Sequence, residues 1–251
     1  MQDRYAGDIG DYIKFGLLKA LLQEDFRLGV NWYRTDPPDS EFDSKTGQFR
    51  QQDGKFRIPS DCEACDLPLA RALQAISAPD SPDRSIAALE AAALLDPDRV
   101  VYYHKPIRRQ DRAQWHLDAM KALAGCDLVF LDPDNGLIPS SVGAGSARSV
   151  KYVLDDELSK YLSDNRSVVL YQHRPRRKQP DYFRHMASRF RRSSARFPIH
   201  VLTCPKGTVR DYFLIPADDG AALRFGHALA RLTASPWGAL CRDETAAFAA
   251  F

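Results

Sequence analysis

The chain has 251 residues, of which 44% are apolar and 27% charged, the profile of a soluble globular protein long enough for one large α/β domain. Its opening, MQDRYAGDIGDYIK, lacks the basic-then-apolar order of a signal peptide, and no apolar run approaches a membrane span; no membrane partner and a cytoplasmic location are expected. The formal net charge of +2 hides an uneven distribution, because Tyr171 to Arg196 carries nine Lys or Arg and a single acid, Asp181, leaving the remainder net acidic.

In chain order, apolar residues at Ile13, Leu17, Leu18, Leu21 and Leu22 predict an amphipathic helix over 11–23. It leads into a strand at Leu28-Gly29-Val30-Asn31-Trp32-Tyr33 that ends near Asp36. Residues 37–60, polar and rich in Asp and Gly, read as a long loop. Helices follow at about 67–78 and 84–95, separated by the breaker APDSPD. Val100 to His104 is a strand, and Asp111 can cap a helix through Ala124 with Leu117, Met120 and Ala124 on one face. Leu128 to Leu131 is a strand, followed by a Gly/Ser loop and a helix over 150–163 with Val150, Leu154, Leu158 and Leu162 in one stripe. A strand at 168–171, a helix at 181–192, and strands at 200–203 and 212–215 come next. A helix over 219–233 carries Leu223, Phe225, Leu229 and Leu232 and reads as packing.

Near-continuous apolar strands alternating with helices predict a mostly parallel sheet covered on both faces. The last two strands are joined too closely for a parallel crossover and must form an antiparallel hairpin. No internal repeat or second domain is evident, so a single domain over 1–251 is expected. Cys62 and Cys65 make one CxxC pair without a second such pair, which favours reduced thiols over structural zinc.

Ligands of open α/β sheets bind beyond the carboxyl ends of the strands, near the reversal of strand order. Asp36, His104, Asp132 and His173 all stand at such ends. The stretch LVFLDPDNG is the most distinctive, since a buried strand stops in two carboxylates and an amide around a proline. Asp-Pro and Asn-Gly are also common turn dipeptides.

This stretch resembles the amine-methylating motif of S-adenosylmethionine-dependent methyltransferases, an apolar strand followed by Asp/Asn-Pro-Pro-aromatic. A parallel sheet closed by an antiparallel hairpin looks like that superfamily's Rossmann-like fold. The resemblance implies that Asp132 and the Pro133 carbonyl accept the protons of an exocyclic amine and turn its lone pair toward the methyl group, which needs positioning more than a strong base. Asp134 and Asn135 would shape the pocket, although they replace the second proline and the stacking aromatic, whose place Tyr102, Tyr103 or Tyr171 could take. RYAGDIGDYIKFGLLKALL is similar to the opening of large-subunit ribosomal RNA adenine methyltransferases, which implies a cofactor side formed by Gly7, Asp8, Asp11 and Lys14, with Asp36 contributing from its loop. A Gly-rich turn after the first strand is missing; Gly47 arrives late. GDIGDYIKFGLL, GVNWY, LDPDNG and YQH together also look like a group of uncharacterised bacterial and phage proteins, a likeness that implies no activity.

The expected partner is DNA or RNA. His104, Lys105 and His173 are cleft candidates, and Arg174, Arg176, Arg177 and Lys178 are phosphate-binding candidates. Two other readings use the same residues. Asp132 and Asp134 could hold Mg²⁺ or Mn²⁺ for phosphodiester hydrolysis, or the basic segment could serve a non-catalytic nucleic-acid-binding protein.

Overall fold

The computed structural model describes residues 1–36, 57–193 and 195–251, together with the backbone of Phe42–Asp43 and Gln48–Phe49. Helix α1 (Ile9–Leu22) precedes strand β1 (Leu28–Asn31), and β2 (Phe42–Asp43) and β3 (Gln48–Phe49) pair in a short ladder. Helices α2 (Leu67–Ser77) and α3 (Ile86–Ala91) lead to β4 (Val100–Tyr103), α4 (Arg112–Ala122) and β5 (Leu128–Leu131). Two short strands, β6 (Gly136–Leu137) and β7 (Tyr152–Val153), precede α5 (Asp155–Ser163), β8 (Ser167–His173) and α6 (Gln179–Arg192). The chain continues through β9 (His200–Cys204), β10 (Arg210–Ile215), α7 (Asp219–Ala234), β11 (Arg242–Asp243) and α8 (Thr245–Ala249).

The fold is α/β, with a seven-stranded mixed sheet in the order β11-β9-β10-β8-β5-β1-β4. Strands β4, β1, β5 and β8 are parallel, and β10 runs antiparallel between β8 and β9 as the close β9–β10 connection requires. Successive residues on the strands feed two cores. One joins Val30, Phe130 and Tyr212 to α1, α2 and α7, while the other joins Val129, Leu131 and Phe213 to α4, α5, α6 and α8. Burial on both faces explains the unbroken apolar runs of β5 and β8. From β1 the chain crosses to β4 on one side and then to β5 on the other, so the strand order reverses between β1 and β5.

Several expectations are corrected. Helix α1, read as amphipathic, is buried on nearly every side, including Asp11 and Lys14, and is a central helix. On α4, Leu117 is exposed while Trp115, His116 and Ala119 are buried, so the inward face lies one residue away from the predicted stripe. Asp111 occupies the N-cap position without a side-chain capping bond. The helix predicted from residue 150 begins at Asp155, because Glu157 accepts the Leu154 N–H while the preceding residues form β7 beside β6. Strand β11 is an added edge paired to β9. Most of the loop over 37–60, with Gly47, lies outside the described residues. Among the described residues no helix is long and apolar enough to cross a membrane.

Candidate functional site

The DPDN turn begins where β5 ends. Asp132 N–H still donates to Asn31 O on β1 at 3.0 Å, so the turn leaves the sheet at the reversal of strand order. Gly136 closes it at φ +111°, a conformation open to glycine, and an added Cβ would overlap the Gln172 amide. Gln172 on β8 occupies that space: its Oε1 accepts the Leu137 N–H at 2.9 Å, and its Nε2 donates to the carbonyls of Asn135 and His173 at 3.1 and 2.9 Å. The Asn135 N–H donates to Lys151 O at 3.1 Å, which draws Lys151 to the same rim.

Asp8 caps α1 through a 2.9 Å bond from the Asp11 N–H, bringing the first turn of that helix over the end of β5. Lys14 Nζ is buried between Asp11 Oδ1 and Asp132 Oδ2, 2.7 Å from each. Burial opposes its charge, but the two carboxylates outweigh that cost and raise its pKa above the ordinary lysine value. Burial also raises the Asp132 carboxyl above its usual range, against the pull of Lys14 and the Met1 ammonium. At Asp134 the balance is reversed: burial opposes ionisation, yet the Met1 ammonium at 2.9 Å, the Gln2 amide and Lys151 hold its carboxyl below the usual range. The Met1 ammonium also donates to the carbonyls of Tyr33 and Asp132.

These groups surround a half-open cleft of about 250 Å³ lined by residues of α1, the DPDN turn, β8 and the β9–β10 loop. The Asp8 carboxyl in its wall is pushed up to about 6 by burial and then by Asp11, against Arg210 and Lys14. Arg210 lies against the first turn of α1 at Gly10, and the carbonyls of Lys206 and Thr208 hold its guanidinium at 2.8 and 3.1 Å. Tyr171 lines the wall, its phenol pushed up to about 12 by burial. Burial, then Arg210, lowers the pKa of His173.

The cleft therefore brings together Asp8, Asp11, Lys14, Asp132, Pro133, Asp134, Asn135 and His173. Gly7 stands just behind it at φ +80°, its N–H donating to Asp11 Oδ2 at 2.9 Å. Other candidates are placed elsewhere. Asp36 is exposed outside the lining. His104 follows the edge strand β4 and bonds Glu90 at 3.0 Å, and Lys105 lies 3.7 Å from Asp118. Tyr102 stacks on Trp32, and Tyr103 donates to the Trp115 carbonyl, so neither reaches the cleft. Arg174 makes a two-pronged bond to buried Asp211 at 2.8 and 2.6 Å and lies over Tyr182 and Phe183, a structural use of its charge. Arg176, Arg177 and Lys178 are exposed on the loop that leaves β8 at the cleft rim.

Sequence reasoning missed Gln172 and Lys151 as parts of this site. The YQH stretch contains Gln172, but its partner Gly136 is 36 positions away and becomes a neighbour only through the β5–β8 pairing. Asp132 and Asp134 face different cations, Lys14 and the Met1 ammonium, instead of converging on one point. Among the described residues no group of three or more His, Cys, Asp or Glu is arranged to hold a metal ion. The chain matches no family model and no curated protein sequence.

Proposed function

We propose that this protein transfers a methyl group from S-adenosylmethionine to an exocyclic amine of a nucleic-acid base in the cleft above β5. The observation that carries the reading is the meeting of two separate sequence segments, 7–14 and 132–135, on one cleft at the strand reversal, joined by the Lys14–Asp132 pair. Both segments carry the methyltransferase resemblance, and the parallel sheet with its antiparallel β9–β10 pair agrees with it.

The donor set fits the amino-acid end of the cofactor. Asp8 and Asp11 complement an ammonium and a sulfonium, and Arg210 complements a carboxylate. The adenosine end has no Gly-rich turn after β1, where Trp32 and Tyr33 are fully buried. The cleft is also below the roughly 300–1,000 Å³ common for small-molecule pockets, so at 250 Å³ it encloses the reacting ends of cofactor and base and leaves the remainder of each outside it. The cofactor supplies the electrophilic methyl group. The chain orients the amine through Asp132 and Pro133, shapes the pocket through Asp134 and Asn135, and offers Asp8 as acceptor of the released proton. Arg176, Arg177 and Lys178 meet phosphates at the rim.

Calorimetry with S-adenosylmethionine and its demethylated product tests the reading, followed by transfer of labelled methyl to DNA and RNA. Binding of both ligands, weakened by Asp8→Ala, is expected. No heat at millimolar ligand refutes the proposal, and salt-sensitive nucleic-acid binding without cofactor binding would identify a binding protein instead.

A further inference from the structure

Four of the five cysteines gather on the side of the sheet covered by α1, α2 and α7. Strand β11 pairs with β9 through Arg242 opposite Thr203 and Asp243 opposite Leu202. One further step in this antiparallel register sets Cys241 opposite Cys204. Their sulfurs are 3.0 Å apart, and both residues are buried. Directly opposed residues of an antiparallel pair have Cα atoms about 4.5–5.5 Å apart, within the roughly 4.4–6.8 Å span of disulfides. The two side chains already face one another, so closing a bond needs side-chain rotation and little backbone movement.

A third thiol provides access. Cys65 is half-buried and lines a surface groove with Asp66, Gly16 and Trp237. The turn containing Cys65 packs on the Pro236–Ala239 turn that leads into Cys241. The Cys241 N–H donates to Trp237 O at 3.0 Å, which fixes that lead-in. Burial, and after it the charge of Cys241, raises the pKa of the Cys65 thiol.

We propose that Cys204 and Cys241 form a reversible disulfide, made by thiol–disulfide exchange that enters through Cys65. The Cys65 thiolate attacks a small-molecule disulfide such as oxidised glutathione, forming a mixed disulfide and releasing one thiol. The Cys241 sulfur attacks Cys65 and expels the second thiol. Cys204 then attacks Cys241, forming the buried bond and returning Cys65 to its thiol. In total, two protein thiols and one oxidised glutathione become one protein disulfide and two reduced glutathiones, with two electrons and two protons leaving the protein. Cys204 and Cys241 are both buried and out of reach of glutathione, which gives the relay through half-buried Cys65 its purpose.

The bond would tie the end of β9 to the start of β11. The β9–β10 loop begins at the next residue and holds Arg210 at the cleft through its carbonyls. Redox state would thus reach one wall of the cleft without altering the DPDN turn.

The full chain is incubated with excess oxidised glutathione at pH 8, unfolded under alkylating conditions and mapped. The expected result is a fall from five free thiols to three, with a Cys204–Cys241 linkage in the peptide map. Cys65→Ser should slow formation at least tenfold and leave the product unchanged. Melting of the oxidised chain should rise by on the order of 5–10 °C, a shift that Cys241→Ser abolishes. The inference is overturned if all five thiols stay reduced, or if Cys62 and Cys65 pair while Cys204 and Cys241 remain free. None of these readouts depends on methyl transfer.

Discussion

Lys14 on α1 and Asp132 at the end of β5, separated by 118 positions in sequence, form a buried ion pair at 2.7 Å. Asp11 shares the same ammonium. Removing Lys14 would leave two buried carboxylates without their shared cation. Lys14→Met is therefore expected to destabilise the fold by about 3–5 kcal/mol, the cost of breaking a buried pair from one side. Adding Asp132→Asn should recover part of that loss. Urea denaturation of the two variants measures both, and an unchanged midpoint for Lys14→Met would remove the pair from any structural role.

Asp8 gives a pH signature of the opposite sign to a salt-bridged carboxylate. Its folded pKa, about 6, lies above the ordinary aspartate value of 3.8, so the folded state binds the proton more tightly. Stability linked to this group is present below pH 4 and lost as pH rises through 6. Asn caps helices as well as Asp. Asp8→Asn should accordingly be more stable than the parent above pH 6, by on the order of 1 kcal/mol after solvent screening, and equal to it near pH 4. Denaturation midpoints across pH 4–8 provide the comparison.

His116 behaves differently. It is buried on α4 against Tyr161, and neither ring nitrogen has a hydrogen-bond partner among the described residues. Burial lowers its pKa below the ordinary histidine value of 6.5. The folded state therefore loses stability as pH falls below that value, because the unfolded chain takes up the proton first. His116→Phe keeps the aromatic packing and should flatten the acid side of the stability profile. The same slope in both proteins between pH 7 and 5 would contradict this.

Gly136 admits no larger residue without displacing the Gln172 amide. Gly136→Ala should cost about 2–4 kcal/mol, combining the positive φ with overpacking, and should loosen the DPDN turn. Hydrogen exchange of the Leu137 amide, which Gln172 accepts, reports the loosening directly.

Salt dependence tests the rim. If Arg176, Arg177 and Lys178 contact phosphates, replacing all three by Gln lowers the slope of log K against log salt by about 2–3. A filter-binding or fluorescence titration at several salt concentrations shows whether the slope changes.

The sheet and its main helices were legible because strand burial leaves continuous apolar runs such as Leu128–Leu131 and helix burial leaves its own spacing. The end of β5 was legible for the same reason, since Asp132 interrupts an apolar run. What could not be read was pairing across distance. Nothing local distinguishes Arg174, held by Asp211, from exposed Arg176 two residues later. His104 and Asp132 both end parallel strands, yet strand order puts β1 between them and directs His104 to Glu90. The all-round burial of α1 was similarly obscured, because the polar Asp11 and Lys14 look like a solvent face until their partners are known.

The reversed direction of β10 brings the loop between Cys204 and Arg210 to the same rim as the ends of β1, β5 and β8. That loop is one cleft wall suspended between two strands whose pairing it does not interrupt. Its length and composition can drift, or be exchanged by grafting, while the scaffold stays intact. Ligand preference in this architecture can thus evolve at a handful of positions far from those that make it fold.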